Sequence, residues 1–151
     1  MHAPISISAI ASVSALGDSP KEVWESYLSK KPLFVKKKIG SQEVFVTEIS
    51  TKTQKSLTQL KASNPSYKTL DRTALLAILA SKHALQNTDL EKQSLDINIG
   101  SSRGATSLFE KYHTDFLQTG KVSPFTSPTT TLGNISSWVS QELGTKGLQI
   151  D

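Results

Sequence analysis

"LDRTALLAILASKHALQ", residues 70–86, is the stretch on which the fold turns. Leu75, Leu76, Ile78, Leu79 and Leu85 fall at helical spacing, and the middle of the segment is nearly all apolar. A helix that is apolar around most of its circumference cannot lie on a surface. It belongs in the interior of a layered fold, covered on more than one side. Asn87 and Asp89 end it.

Reading outward from this helix, strands and helices alternate. Residues 5–15, rich in Ile, Val and Ala, read as a buried strand that Gly17 ends. The stretch lacks a basic leader and is broken by Ser6, Ser8, Ser12 and Ser14, so it is not read as a signal peptide. Ser19, Pro20 and Glu22 form a capping box with proline at the first helical position. The helix behind it, residues 20–31, sets Val23, Trp24, Tyr27 and Leu28 on one face. Residues 33–35 and 44–46 flank Gly40-Ser41 as a hairpin. Between them Lys36, Lys37 and Lys38 read as a solvated loop, or as a dock for an acidic partner. Residues 51–62 form a short helix, and "SNPSY" breaks it.

Downstream, residues 95–102 alternate as a strand up to Gly100. Residues 104–118 form a helix with Leu108, Phe109, Tyr112, Phe116 and Leu117 apolar, stopped by Gly120. Pro124, Pro128 and a threonine run predict an extended loop over 122–134. A helix over 135–143, capped by Gly144, leads to a final strand whose Leu148 and Ile150 are apolar. The order is β-α-(ββ)-α-α-β-α-loop-α-β, an α/β pattern without internal repeats.

Composition narrows the chemistry. The 151 residues suit one domain, and a net charge of +4 is too small an excess to mark a nucleic-acid binder. No apolar run is long enough to span a membrane. The chain has no cysteine, which removes disulfides, thiolate metal sites and a cysteine nucleophile. It contains no P-loop and no G-x-S-x-G, and "GSSRG" at 100–104 is not a dinucleotide fingerprint. His2, His83 and His113 share no metal spacing and read as ordinary surface or boundary histidines. The sequon Asn134-Ile135-Ser136 carries no weight without secretion.

Two segments carry a resemblance. "ISAIASVSALGDSPKEVWESYLSKK" at 7–31 resembles the opening of the β-ketoacyl synthases, the condensing enzymes of fatty-acid and polyketide synthesis. These begin with a buried strand, a turn ending Leu-Gly, and a helix carrying Trp. "INIGSSRG" at 97–104, then a helix, then "VSPFTSPTTTLGNISSWVSQELGTKG" at 122–147 is similar to that family's Gly-Ser turn, Ser-Pro-Phe-x-x-Pro loop, helix and Gly-x-x-Gly. The helix at 70–86 looks like the family's long buried helix. Residues 30–60 carry no such likeness.

The resemblance implies the N-terminal portion of a thiolase-like layered α-β-α-β-α fold, filling residues 1–151 and ending just before the family's nucleophilic cysteine. That cysteine and the two catalytic histidines are expected beyond Asp151, so no catalytic residue is assigned within the chain. The complete enzyme would carry out decarboxylative Claisen condensation of an acyl thioester with a malonyl thioester, in fatty-acid, polyketide or aryl-polyene type synthesis. No cofactor and no metal are implied, and the implied location is the cytoplasm. The implied partners are an acyl carrier protein and a second synthase subunit, as homodimer or heterodimer, with no nucleic acid and no membrane.

Some residues carry over. Arg103 stands where fatty-acid members carry an apolar residue lining the acyl pocket, so it either pairs or faces away, and a polar, conjugated or aryl acyl group fits better than a plain saturated one. Thr126, beside Phe125, stands where the family often has a phenylalanine reaching into the partner's pocket. Lys61 and Lys68 fall near the stretch where family members meet the acidic carrier protein. Two other readings remain: a non-catalytic partner subunit of the chain-length-factor kind, and a small autonomous α/β binding module.

Overall fold

The computed structural model describes residues 5–131 and 133–150. His2, Leu132 of the proline-rich loop and Asp151 of the final strand lie outside the described residues. The elements run α1 (Pro20–Leu28), β1 (Phe34–Ile39), β2 (Gln42–Thr47), α2 (Thr51–Ser63), a 3-10 turn (Pro65–Thr69), α3 (Arg72–Leu85), a second 3-10 turn (Lys92–Ser94), β3 (Ile97–Asn98), α4 (Thr106–Thr119), α5 (Thr126–Thr130), α6 (Asn134–Leu143) and β4 (Gln149–Ile150). This is a mixed α/β chain. β1 and β2 form an antiparallel hairpin, and β3 pairs in parallel with β4.

The helix at the centre of the sequence is also the centre of the structure. α3 buries Ala74, Leu75, Ile78 and Leu79, and Ile78 has no exposed surface. Leu57 and Leu60 of α2, Tyr67 and Leu70 around the first 3-10 turn, and Val139 of α6 complete the cluster. α3 lies against α2 and α6, and α6 in turn touches both β3 and β4. Asp71 fixes where α3 begins. Its buried carboxylate accepts the Thr73 N–H at 2.8 Å, capping α3, and also the Leu108 N–H of α4 at 3.3 Å. One anion therefore sits at the positive ends of two helices.

Two polar networks lock the surrounding pieces. Tyr67, 2% exposed, meets Trp138 edge-on at 5.9 Å and donates its hydroxyl to Glu142. The other carboxylate oxygen of Glu142 accepts from Lys82 at 2.6 Å, which ties the 3-10 turn, α6 and α3 together. Burial, reinforced by the Glu142 carboxylate, pushes the Tyr67 hydroxyl up to about 12. Burial pulls the Glu142 carboxyl upward, but the bonds from Lys82 and Tyr67 outweigh it and leave the group below its ordinary 4.5.

The second network joins α1 to α2. Asp18 accepts from Lys52 at 2.9 Å and from the Thr53 hydroxyl at 2.8 Å, and Lys52 also reaches Glu22 at 2.8 Å. Here too burial raises the Asp18 carboxyl, while bonds to Lys52, Thr53 and Glu22 bring it below its ordinary 3.8. The capping box at α1 forms with a shift. Ser19 accepts the Glu22 N–H at 3.3 Å, but the Glu22 carboxylate returns to the N–H of Asp18 rather than Ser19. Gly17 makes that approach possible, because a Cβ there would lie 2.5 Å from the Glu22 Cβ.

Four expectations need correcting. Residues 5–15 are not a strand, and apart from a single bridge between Ser14 and Gly17 they pair with no strand among the described residues. β3 and β4 pair only with each other, so among the described residues there is no neighbouring strand for this segment. Ile5, Ile7 and Ile10 are 100%, 85% and 78% exposed, and only Val13 packs on the core. The strand expected over 95–102 is observed at Ile97–Asn98, paired in parallel with β4. Lys36, Lys37 and Lys38 stand within β1 rather than in a loop, where ladder bonds to β2 hold them and Lys36 and Lys37 pair with Glu43 and Glu48. The loop over 122–134 contains α5, whose threonine hydroxyls satisfy its own carbonyls. The helices over 51–62, 70–86, 104–118 and 135–143 and the hairpin all form, and Gly120 and Gly144 end α4 and α6 at φ 68° and 70°.

Packing around Ile78 sets the first test. Ile78→Ala should cost about 2–5 kcal/mol through lost contact and a residual cavity. Ile7→Ala should change stability by no more than about 0.5 kcal/mol. Hydrogen exchange of α3 amides in both variants checks this, and equal effects would refute the proposed core.

The networks set the second. Asp18 and Glu142 have depressed values in the fold, so their contribution is present above the ordinary 3.8 and 4.5 and is lost as pH falls below them. Tyr67 is raised, so its contribution holds below 10 and is lost as pH climbs to about 12. Phenolate absorbance should show one tyrosine ionising near pH 12, and Tyr67→Phe should abolish that step.

Candidate functional site

The chemistry-bearing positions fall in two places. The first is the loop before α4 together with the short α5. In "GSSRG" the Ser101 hydroxyl accepts the Gly104 N–H at 3.0 Å, and Gly104 turns the chain in the left-handed region at φ 58°. Ala105 then buries itself and α4 begins with no cap from its own side chains. Asp71 supplies the acceptor instead, so the loop is registered against the start of α3. Arg103 projects from this loop into solvent and makes no ion pair among the described residues.

Phe125 is 65% exposed at the start of α5. Thr126 follows, half-buried, and its Oγ1 is buried without a hydrogen-bond partner among the described residues. The carbonyls around it are taken: the Thr129 hydroxyl donates to the Phe125 oxygen at 2.6 Å, and the Thr130 hydroxyl to the Thr126 oxygen at 2.6 Å. The Asn134 side chain donates to the Pro128 carbonyl at 2.6 Å and fastens α5 to the start of α6. Asn134 is itself buried, so the sequon at 134–136 is not presented to solvent. No hydrogen bond or ion pair among the described residues joins Arg103 to Phe125 or Thr126.

The second place is the outer side of α2 and the start of α3. Lys61, in the last turn of α2, lines a depression of about 200 Å³ with Leu57, Leu70 and Arg72. Lys68, on the 3-10 turn, is exposed and stands outside that depression. Arg72 also lines a larger hollow of about 670 Å³ beneath the hairpin. The sequence reading passed over Arg72, which lay inside a helix dominated by leucines. The signal was its position: an arginine at the first residue of a helix, in line with the basic residues just before it.

His83 Nδ1 lies 3.2 Å from the Asp18 carbonyl, and His113 stacks on Phe109 with ring centroids 6.3 Å apart. Among the described residues no group of three His, Asp or Glu could hold an ion, and no helix is long and apolar enough to cross a membrane.

A model of the family described as beta-ketoacyl synthase, N-terminal domain, matches residues 2–150. A search of curated proteins returned no match to the chain. The family model spans nearly every residue, including the Gly-Ser turn before α4, the proline loop carrying α5 and the glycine pair after α6; the chain therefore belongs to the β-ketoacyl synthase family and represents an N-terminal part of such an enzyme.

Proposed function

We propose that the chain supplies the scaffold, part of the acyl pocket and part of the subunit interface of a decarboxylating condensing enzyme with thiolase-type layering. The observation that carries this reading is the family match over residues 2–150, which runs through both segments that held the resemblance. The chemistry needs a thiolate to take the acyl group from its thioester, and then an enolate, formed as the malonyl thioester loses carbon dioxide, to attack that acyl carbonyl and release the thiolate. The chain has no cysteine, so it is not the acyl acceptor. Its share is positional. α6, packed on α3, lies against both β3 and β4, and β4 is the strand that in this family leads to the nucleophile.

On this reading Phe125 and Thr126 border the acyl group at the subunit interface, with a threonine leaving more room than a phenylalanine. Arg103 favours a polar or conjugated acyl chain. Lys61 and Lys68 attract an acidic acyl carrier protein by charge. The working location is the cytoplasm, where such carriers operate. The same scaffold serves a non-catalytic partner subunit, and the lack of cysteine fits that reading equally. Whether a cysteine stands at the turn beyond β4 in the assembled enzyme separates the two.

Two measurements bear on this. The chain incubated with an acyl-thioester donor should gain no mass, and a stable covalent adduct would overturn the assignment of a purely positional role. Arg103→Ile should leave stability within about 0.5 kcal/mol, because the side chain is exposed. In the assembled synthase the same variant should move acyl preference toward saturated chains, and an unchanged profile across a donor series would remove Arg103 from the pocket.

A further inference from the structure

We propose that the outer face of the β1–β2 hairpin docks reversibly on an anionic lipid surface, with Phe34 and Phe45 seated at the headgroup boundary and free lysines around them. Side chains alternate along a strand, so the register divides the hairpin into two faces. Lys37, Ile39 and Val46 fall on one face, and all three line the hollow that α2 and α3 help to form. Phe34, Lys36, Lys38, Glu43 and Phe45 fall on the other, which points away from that hollow. The two rings are 65% and 68% exposed. They are diagonal neighbours across the ladder and make one apolar spot.

Charge gathers at the same place. Residues 30–48 hold five lysines against two glutamates, so a net +3 of the chain's +4 lies in this segment. Glu43 pairs with Lys36 at 3.6 Å, and Glu48 pairs with Lys37 of the inner face. Lys30, Lys31 and Lys38 have no ion pair among the described residues. Lys30 holds φ 54° just past the end of α1, a left-handed position that glycine takes more easily, so a cation stands there against the preference of the backbone. The mixture of rings and free cations selects the occupant. A nucleic-acid base stacks on the flat of a ring, but Lys36 Nζ already stands over the Phe45 ring at 5.7 Å. All five cations are lysines. A hydrated point charge on a flexible stem suits a fluid field of phosphates, whereas the fixed carboxylates of a folded acidic partner favour the planar fork of arginine. At a lipid boundary the rings sink by their bodies while the lysine stems reach back to the phosphates. Two rings make a shallow contact, so the charges supply much of its strength. Among the described residues no helix is long and apolar enough to cross a membrane, and the contact is peripheral.

The resemblance to the condensing enzymes implies no membrane, and this inference neither uses nor alters the reaction proposed above. The test co-sediments the full chain with vesicles of equal parts phosphatidylglycerol and phosphatidylcholine. Binding at low salt should exceed that to pure phosphatidylcholine by about a hundredfold, from three free lysines at about fivefold each, and should fall as salt rises. Lys38→Gln should weaken it about fivefold. Phe34→Thr combined with Phe45→Thr should weaken it about tenfold or more. Threonine is a good strand former, so the hairpin persists in that variant, and circular dichroism verifies this. Lys30→Gly should raise the melting temperature and yet weaken vesicle binding about fivefold, which separates the charge from the fold. Lys111→Gln and Phe116→Thr, both exposed on α4, should leave the affinity within about twofold. The proposal is overturned by absent binding, by equal binding to pure phosphatidylcholine, by undiminished binding of the hairpin variants, or by equal losses from the two α4 variants. It is also overturned if a single-stranded oligonucleotide or polyglutamate binds with the same dependence on Phe34 and Phe45.

Discussion

Ile78 has no exposed surface, and the elements that bury it form the core of the molecule. A helix as apolar as α3 must be covered along its flanks, and the chain covers it with α2, the Tyr67 turn and α6. Once α6 lies there it carries the contacts that bring β3 and β4 together. Asp71 then transmits the position of α3 to α4, because one carboxylate accepts from the first turns of both helices. The loop with Arg103 is therefore placed by the same residue that starts the central helix. Substitution at Asp71 leaves two helix ends without their acceptor.

Local signals in the sequence carried far and stopped at predictable points. The periodicity of 70–86, the Ser19-Pro20-Glu22 cap and the glycines at 120 and 144 encode conformations that a few neighbouring residues decide, and all of them form. The segment 5–15 has the composition of a strand, but a strand exists only with a hydrogen-bonded neighbour, and that requirement is written elsewhere in a chain. Lys36 to Lys38 read as loop because three like charges repel. In β1 they alternate faces, and Lys36 and Lys37 find glutamates on or just after β2. α5 escaped notice because two prolines suggested an extended path, whereas Pro128 sits early enough in the helix for its missing N–H to cost little.

The candidate site was legible in a different way. The Gly-Ser turn, the Ser-Pro-Phe loop and the Gly-x-x-Gly pair point to the family because their spacing is unusual, and the family match spans all of them. Which side chains line a pocket is a three-dimensional fact that spacing does not contain. Arg103 faces solvent, Thr126 carries an unpartnered buried hydroxyl, and Arg72 joins two hollows that only the hairpin's placement creates.

The interior cluster contrasts with the outer faces. Trp24, Tyr27 and Leu28 on α1, Phe109, Phe116 and Leu117 on α4, and Ile5, Ile7 and Ile10 before them are exposed apolar groups at the spacing of a packed face. Surfaces of that kind mark where a protein meets something else. On the proposed function these faces meet other layers or subunits of a condensing enzyme, while the α2–α3–α6 cluster packs within the chain itself. Sedimentation of the isolated chain across a concentration series, with a dye that reports exposed apolar surface, tests it most directly. The account expects association that grows with concentration and strong dye binding that falls as association proceeds. A clean monomer at every concentration, with no dye bound, would contradict it.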